Sequence, residues 1–240
     1  MLLFIFSSFT IGQTAKEIVK KSNDNNMGLT SQGISKMTVI RPDWSREVEM
    51  KSWSKGLDYY LIYITSPARD KGQVFLKRKL ELWNWMPSIG RMIKLPPSMM
   101  MQSWMGSDFT NDDLLKQSSL VIDYEHTIVA EEKVEDLETW KIEFIPKPHA
   151  PVVWGKITMW ITKAHYLQIK VEYFDEMLEL INTMIGSNIK NVGDRMLPMK
   201  MEMLPADKPG HKTMLEYSEI VFDKPINDRF FSQQNMKKVK

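Results

Sequence analysis

Apolar and polar residues alternate over many short stretches of this chain, and this period of two predicts β-strands. Val48 and Met50, for example, alternate with the acidic residues Glu47 and Glu49. The stretch 59–64 is apolar on both faces, so we expect a central strand that is covered on each side. The first half of the chain therefore indicates strands rather than long helices.

The second half of the chain repeats this alternation. Its apolar positions are Trp140, Ile142 and Phe144; Ile157, Met159 and Ile161, facing Leu167, Ile169, Val171 and Tyr173 across a turn near Lys163; Met199, Met201 and Met203; and Leu215, Tyr217 and Val221. A further hairpin is expected from residues 75–76 and 80–85. Period-two segments joined by short turns predict an antiparallel sheet or barrel with one buried face.

Two short helices interrupt the strands. Residues 14–21 have an amphipathic pattern, and the polar run 22–26 is expected to end that helix because its residues favour turns. A second helix is predicted over 108–116. Thr110 can cap it, and Asp113 lies three residues later, where a carboxylate is favourable.

Residues 81–114 are unusual because they contain six of the nineteen methionines and three of the eight tryptophans. Three prolines break this segment, so it cannot form one long helix and is expected to form apolar loops and short helices. Methionine adapts to irregular apolar partners, so the segment could line or cover a hydrophobic cavity, or it could simply fill the protein's own core. The residues that we predict to contact an apolar ligand are Trp83, Trp85, Met92, Ile93, Leu95, Met99, Met100, Met101, Trp104 and Met105.

Composition excludes several classes of function. The 240 residues carry a net charge of +2, with basic and acidic residues closely mixed, so no surface for nucleic acid is indicated. Cysteine is absent, which excludes disulfides, thiolate metal sites and a lipid-modified cysteine anchor. Since the pattern contains no fixed-period repeat or low-complexity linker, we predict a single domain over residues 14–240 and a monomer.

The first thirteen residues form a short apolar run followed by small and polar residues. This run is too short to span a bilayer but is typical of a secretory signal, with cleavage expected near Gln13. No basic residue precedes Lys16. A buried first strand or helix is the alternative.

No arrangement of residues typical of catalysis or metal binding is present in the sequence. His126, His149, His165 and His211 lie far apart, and no HExxH, GxSxG, GxGxxG or phosphate-loop pattern occurs. Asp108, Asp112 and Asp113 form a carboxylate cluster, but at the start of a helix we interpret them as caps. We therefore expect no catalytic residues, no metal and no cofactor.

Two motifs resemble those of the LolA-like outer-membrane lipoprotein-sorting family. The first is Leu82–Lys94, with its W-x-W-x-P-x-x-x-R-x-I element, and the second is Trp104–Leu114, which contains MGSDFT-x-DDL. The turn Ser66–Gly72 also matches. The family's motif residues in this chain are Arg91, Gly106, Ser107, Asp108 and Phe109.

The resemblance implies a mainly β fold: an incomplete antiparallel β-barrel, or half-barrel, with helices packed in its concave side around an apolar cavity. It also implies a periplasmic carrier that takes the acyl chains of lipoproteins or phospholipid-like lipids toward the outer membrane, with an inner-membrane lipid exporter as a candidate partner. Membrane-anchored members of the superfamily carry a lipidated cysteine, so this chain resembles the shuttle type. Arg41, Arg46 and Arg91 are candidates for contact with a head group or partner.

Two other functions stay open at this point. One is a non-catalytic periplasmic accessory subunit of a lipid-export or envelope complex, which would act through its surface. The other is a lipid-acting hydrolase, for which Ser107 would be the nucleophile.

Overall fold

The computed structural model describes residues 13–115 and 119–240, and within them the chain forms one antiparallel sheet of thirteen strands. The order in the sheet is β6-β5-β4-β3-β2-β1-β13-β12-β11-β10-β9-β8-β7. Consecutive strands therefore pair as hairpins in each half, and the two halves join where β1 pairs with β13. The sheet is not closed, so the mainly β half-barrel fold expected from the sequence is confirmed.

The strands of the first half are β1 (Thr30–Arg41), β2 (Trp44–Lys55), β3 (Tyr59–Ser66), β4 (Val74–Arg78), β5 (Glu81–Met86) and β6 (Arg91–Leu95). Those of the second half are β7 (Tyr124–Val134), β8 (Leu137–Pro146), β9 (Lys156–Thr162), β10 (Gln168–Phe174), β11 (Leu180–Val192), β12 (Arg195–Pro205) and β13 (Lys212–Phe222). The described residues also form three α-helices: α1 (Ala15–Met27), α2 (Asn111–Leu115) and α3 (Gln233–Met236).

The two faces of the sheet have different coverings. On the concave face, inward side chains such as Val48, Met50 and Ile62 form the main core with α1 and with residues 96–115. On the outer face, Leu61 and Tyr63 belong to a second cluster that Phe231 and Met236 cover near the C-terminus. The prediction of a central strand with both faces covered is therefore confirmed by β3.

Helix α1 is longer than the sequence pattern indicated. Thr14 caps it, with reciprocal hydrogen bonds between Thr14 and Glu17. The expected end within 22–26 was wrong, because Ser22 is fully buried against the core and the helix continues to Met27. Gly28, with φ of 60°, then ends the helix and donates its N–H to the carbonyl of Asp24.

Residues 1–12 lie outside the described residues, and the predicted secretory signal falls on them. No helix in the described part of the chain is both long and apolar enough to cross a bilayer.

Gly155 is the residue whose substitution we expect to disturb the sheet most. A Cβ atom at this position would lie 2.2 Å from the carbonyl oxygen of Asp175, which is backbone and cannot rotate away. We expect Gly155→Ala to lower the free energy of unfolding by about 3 kcal/mol, at the upper end for overpacking. Gly33→Ala is the matched control, because its nearest contact would be an ordinary 3.4 Å, and it should change stability by less than about 1 kcal/mol. Equal urea midpoints for the two variants would contradict this account.

Candidate functional site

The connection after β6 fills the concave face of the sheet, and we call residues 96–115 the plug. Its side chains Met100, Trp104, Phe109, Leu114 and Leu115 are buried in the main core beside the inward residues of the strands. It contains no strand, only single turns of 3-10 helix and α2, as the prolines and the mixed apolar pattern predicted. The chain's own side chains therefore occupy the space in which the sequence predicted an apolar cavity.

Trp104 is the largest side chain that the plug buries. It is fully inaccessible to solvent, and its ring lies 5.3 Å from that of Phe75, between centroids. Its indole Nε1–H has no hydrogen-bond partner among the described residues. An unsatisfied buried donor costs about 1–3 kcal/mol, so this N–H partly offsets the stabilisation that the apolar contacts of Trp104 provide.

Local hydrogen bonds give the MGSDF motif its own compact shape. Met105 and Gly106 both have left-handed backbone conformations, with φ of 50° and 75°, which turn the chain sharply and favour glycine at the second position. Ser107 donates its hydroxyl to the carbonyl of Trp104 at 2.7 Å and accepts the N–H of Phe109 at 3.2 Å. The Ser107 hydroxyl is therefore buried and hydrogen-bonded to backbone groups of the motif.

Asp108 fastens the plug to the middle of the sheet. Arg41 donates to both of its carboxylate oxygens, at 2.9 and 3.0 Å, and Thr213 donates its hydroxyl to one of them at 2.7 Å. Arg41 also donates to the carbonyl of Gly106 at 3.1 Å. The side chains of Arg41 and Asp108 are only 11% and 7% exposed, so this pair is shielded from solvent. We call the Arg41–Asp108 pair with Thr213 the latch.

A second arginine contacts the plug beside the latch. Arg46 lies on β2 and donates to the carbonyl of Met105. Its Nε is buried and has no partner among the described residues. Burial and the nearby guanidinium of Arg69 lower the pKa of Arg46 below the ordinary arginine value, the carboxylate of Asp70 opposes this change, and Arg41 contributes less.

The predicted helix over 108–116 begins later than expected. The structure places α2 at Asn111–Leu115, after the turn of the MGSDF motif, and residues 116–118 lie outside the described part. The predicted cap is confirmed, since Thr110 and Asp113 exchange hydrogen bonds of 2.8 and 3.1 Å. Asp113 also accepts from the indole of Trp154 at 3.3 Å, which ties α2 to the loop before β9.

The ten predicted ligand-contacting residues divide by position. Those in the concave core are Leu95, Met100 and Trp104, with Met99 and Met105 partly buried against it. Those packed in the outer cluster are Trp83, Trp85 and Met92. Ile93 and Met101 are exposed, at 39% and 60%. The pleat explains this division, because Trp83 and Trp85 alternate with Leu82, which faces the concave core.

Other residues of the concave face were not among the predicted ligand contacts. They lie on β1, β3, β9, β10 and β13 and include Met37, Val39, Ile64, Met159, Val171 and Leu215, of which the last four had been predicted only as strand residues. Their inward parity along each strand was the available signal. Arg91, the third candidate arginine, is exposed at the start of β6 and stands apart from the latch.

The described part of the chain contains no cluster of histidine and carboxylate residues that could bind a metal. His126 lies on β7, where its Nε2 is 2.7 Å from the carbonyl of Leu120. Two open depressions lie away from the plug. One, of about 250 Å³, is near Trp53 and Lys224, and the other, of about 390 Å³, lies beside the C-terminal end of α1.

Comparison with known proteins identifies the fold. A family model described as an uncharacterized protein matches residues 56–238, about three quarters of the chain. A DUF1329 family protein from Desulfovibrio piger superposes with a TM-score of 0.84 at 21% identity, covering 92% of this chain and 97% of that one. A LolA superfamily protein from Nitrosomonas europaea has a TM-score of 0.81 at 23% identity, covering 93% and 100%.

A third similar structure is a domain from Vibrio parahaemolyticus that is named for outer membrane lipoprotein sorting. Its TM-score is 0.82 at 23% identity, and the match covers 93% of this chain and 98% of that domain. No curated protein sequence matches the chain. At these identities, the structural likeness establishes the shared fold.

Removing one partner of the latch should destabilise the protein strongly. Asp108→Ala leaves the shielded guanidinium of Arg41 without its carboxylate, and we expect the free energy of unfolding to fall by about 3–5 kcal/mol. Glu81→Ala is the matched control, because it breaks an exposed, solvent-screened pair with Lys94 and should leave the free energy of unfolding nearly unchanged. Chemical denaturation measures both variants. If Asp108→Ala were as mild as Glu81→Ala, the latch would have no role in holding the plug.

Proposed function

The chain belongs to the LolA-like family, and we propose that it is a periplasmic carrier that binds the acyl chains of lipoproteins or other lipids in its concave face. The observation that supports this most is the plug itself. A single open sheet presents one apolar concave surface, and that surface is covered by α1 and by a loop segment rather than by a second sheet. In this proposal the plug moves aside and acyl chains take its place, without covalent chemistry.

The energies of the two occupants are similar, which is what a reversible carrier requires. Burying an acyl chain yields about 0.8 kcal/mol per methylene, so a 16-carbon chain gains near 12 kcal/mol before any cost. Exposing the five buried side chains of the plug, Met100, Trp104, Phe109, Leu114 and Leu115, would cost about 1.5–3 kcal/mol each, or about 8–15 kcal/mol together. Exchange between plug and cargo is therefore close to balance, so cargo can enter and also leave.

The latch gives the closed state a defined position. A bidentate arginine–carboxylate pair has a strict geometry, so it holds the closed plug in one position on the sheet. The pair can form again when the plug returns. Leu95 and the inward residues of the strands would line the emptied concave face, and Met99, Met100, Trp104 and Met105, which move with the plug, remain candidates for contact with the acyl chain from the displaced plug. Gly106, Ser107 and Phe109 shape the plug rather than contact cargo.

The proposed localisation and partners depend on the family resemblance rather than on a structural feature of this chain. We propose export across the inner membrane with removal of the leader near Gln13, action in the periplasm, and delivery toward the outer membrane. An inner-membrane lipid exporter is the expected donor. The neighbour that is named for outer membrane lipoprotein sorting supports this direction of transport.

The carrier proposal can be tested with a covalent lock, because the natural chain has no cysteine to interfere. Asp108→Cys with Thr213→Cys places two thiols where the side chains now touch at 2.7 Å and would tie the plug to β13. The oxidised variant should take up less than about a tenth of the fluorescent fatty acid that the reduced variant binds, since a tenfold change needs only about 1.4 kcal/mol.

The matched control is Ser31→Cys with Ser54→Cys, whose hydroxyl oxygens lie 2.7 Å apart between β1 and β2, away from the plug. Its oxidation should leave uptake unchanged. Native mass spectrometry of the wild-type protein should also detect lipid that co-purifies. Absence of any bound lipid, together with no fatty-acid uptake by the reduced variants, would refute the carrier proposal.

A second function, an accessory subunit of a lipid-export or envelope complex, is favoured by the turn between β10 and β11. Met177 and Leu178 are 80% and 57% exposed there, and Leu178 has a φ of 63°, an unfavourable conformation for leucine. Asp175 accepts the N–H groups of Met177 and Glu179, so this turn presents apolar side chains in a fixed shape.

The two functions respond differently to substitution of that turn. If the accessory function is correct, Met177→Ser with Leu178→Ser should abolish co-purification with a membrane partner while fatty-acid uptake stays at the wild-type level. Leu80→Ser, at an exposed turn at the other end of the sheet, is the control. Unchanged co-purification of the double variant would remove the support for this function.

A further inference from the structure

We propose that Arg46, together with Arg41, forms a site for the phosphate of a lipid head group at the mouth of the concave face. This inference rests on the carrier function proposed above and narrows its substrate class to lipids with a phosphate head group. Its basis is the placement of Arg41 and Arg46 and the pairing of these two and Arg69.

Arg41 and Arg46 lie on the concave face of their strands, at positions two residues from core residues. Arg46 pairs with Val39 across β1 and β2, and it precedes Val48 and Met50 on the same face of its strand. Arg41 follows Met37 and Val39 in the same way on β1. Both guanidinium groups therefore lie at the end of an apolar column, where the head group of a lipid with buried chains would emerge.

Of the three neighbouring arginines, Arg46 forms no ion pair with the described residues, although the carboxylate of Asp70 attracts it electrostatically. Arg41 is paired with Asp108 at 2.9 Å, and Arg69 is paired with Asp70 at 3.1 Å. Within residues 13–115 and 119–240, Arg46 forms no ion pair, and it uses a single neutral carbonyl of the plug. Its buried Nε–H is left without an acceptor. The Nε and Nη edge of a guanidinium is the fork that binds two oxygens of one phosphate or carboxylate.

The plug supplies the oxyanion in the closed state. The carboxylate of Asp108 receives both N–H groups of Arg41 and the hydroxyl of Thr213, as a bound phosphate oxygen pair would. When the plug leaves, Asp108 leaves with it, so Arg41 loses its carboxylate and Arg46 keeps only the attraction of Asp70, which is already paired with Arg69. A phosphate carries about −1 to −2 charges and several acceptor oxygens, so it would compensate both guanidinium groups, whereas a neutral glycerol ester would not.

The test compares three ligands by isothermal titration: dihexanoyl phosphatidic acid, dihexanoylglycerol and inorganic phosphate. Wild-type protein should bind the phosphatidic acid at least tenfold more tightly than the diacylglycerol. Arg46→Gln should bring the two lipids to within about threefold of each other, and any effect of losing the Arg46 bond to the plug should change both affinities equally. Arg46→Lys, which keeps the charge but loses the fork, should retain part of the preference. Arg78→Gln, an exposed arginine at the far end of β4, is the control and should keep the full preference.

Each alternative outcome has a definite meaning. Equal affinity of the wild type for both lipids, or an unchanged preference in Arg46→Gln, overturns the phosphate site while the carrier function stands. Inorganic phosphate binding as tightly as the phosphatidic acid overturns the lipid head group as the source of the phosphate. Failure of both lipids to bind overturns the carrier function and the lipid head-group site with it. Binding of inorganic phosphate that Arg46→Gln abolishes would then show a phosphate site without a lipid.

Discussion

An open sheet with one apolar concave face cannot stay uncovered in water, and this constraint determines the rest of the architecture. Thirteen strands pair in a single layer, so no second sheet is left to bury the inward side chains. The chain meets the requirement with α1 and with the plug, which buries Trp104 and Phe109 against the strands of both halves. Everything that we infer about function depends on the plug being a loop segment of the same chain.

The chemistry of the plug separates its two tasks. Apolar side chains provide the stabilisation, and they would be equally satisfied by any hydrocarbon of similar volume. The polar atoms provide position: Asp108 meets Arg41 and Thr213 in one geometry, and the turn at Met105 and Gly106 brings Asp108 to them. The plug thus combines nonspecific apolar contacts with one specific polar contact. A ligand that has both an apolar part and a polar group can replace such a cover.

The sequence predicted the strands well because a period of two needs only local information. Val48, Met50 and the two-sided stretch of β3 lie where the pattern placed them, and the Thr110–Asp113 cap is local as well. The missed features depend on tertiary structure. Helix α1 continues past Ser22 because Ser22 is buried by distant strands, which no helix propensity contains.

The same distinction applies to the candidate site. Clustering along the sequence selected Trp83 and Trp85 together with Trp104, but the pleat and the course of the chain put the first two in the outer cluster and the third in the concave core. The contact between Asp108 and Thr213 joins positions 105 residues apart, and the pairing of β1 with β13, which places Thr213 beside Val39, leaves no local trace in the sequence. Predicting the half-barrel was therefore possible from the pattern and the motifs, while the latch required the three-dimensional arrangement.

The closed state is also less stable than its packing alone would indicate. The indole N–H of Trp104 and the Nε–H of Arg46 are both buried without an acceptor among residues 13–115 and 119–240, and each unsatisfied donor costs about 1–3 kcal/mol. Both belong to the contact between plug and sheet, so opening the plug relieves both costs at once. A protein selected only for stability would gain from a partner at either position. Leaving both donors unsatisfied brings the closed and open states closer in free energy, and a carrier needs that small difference in order to load and to release its cargo.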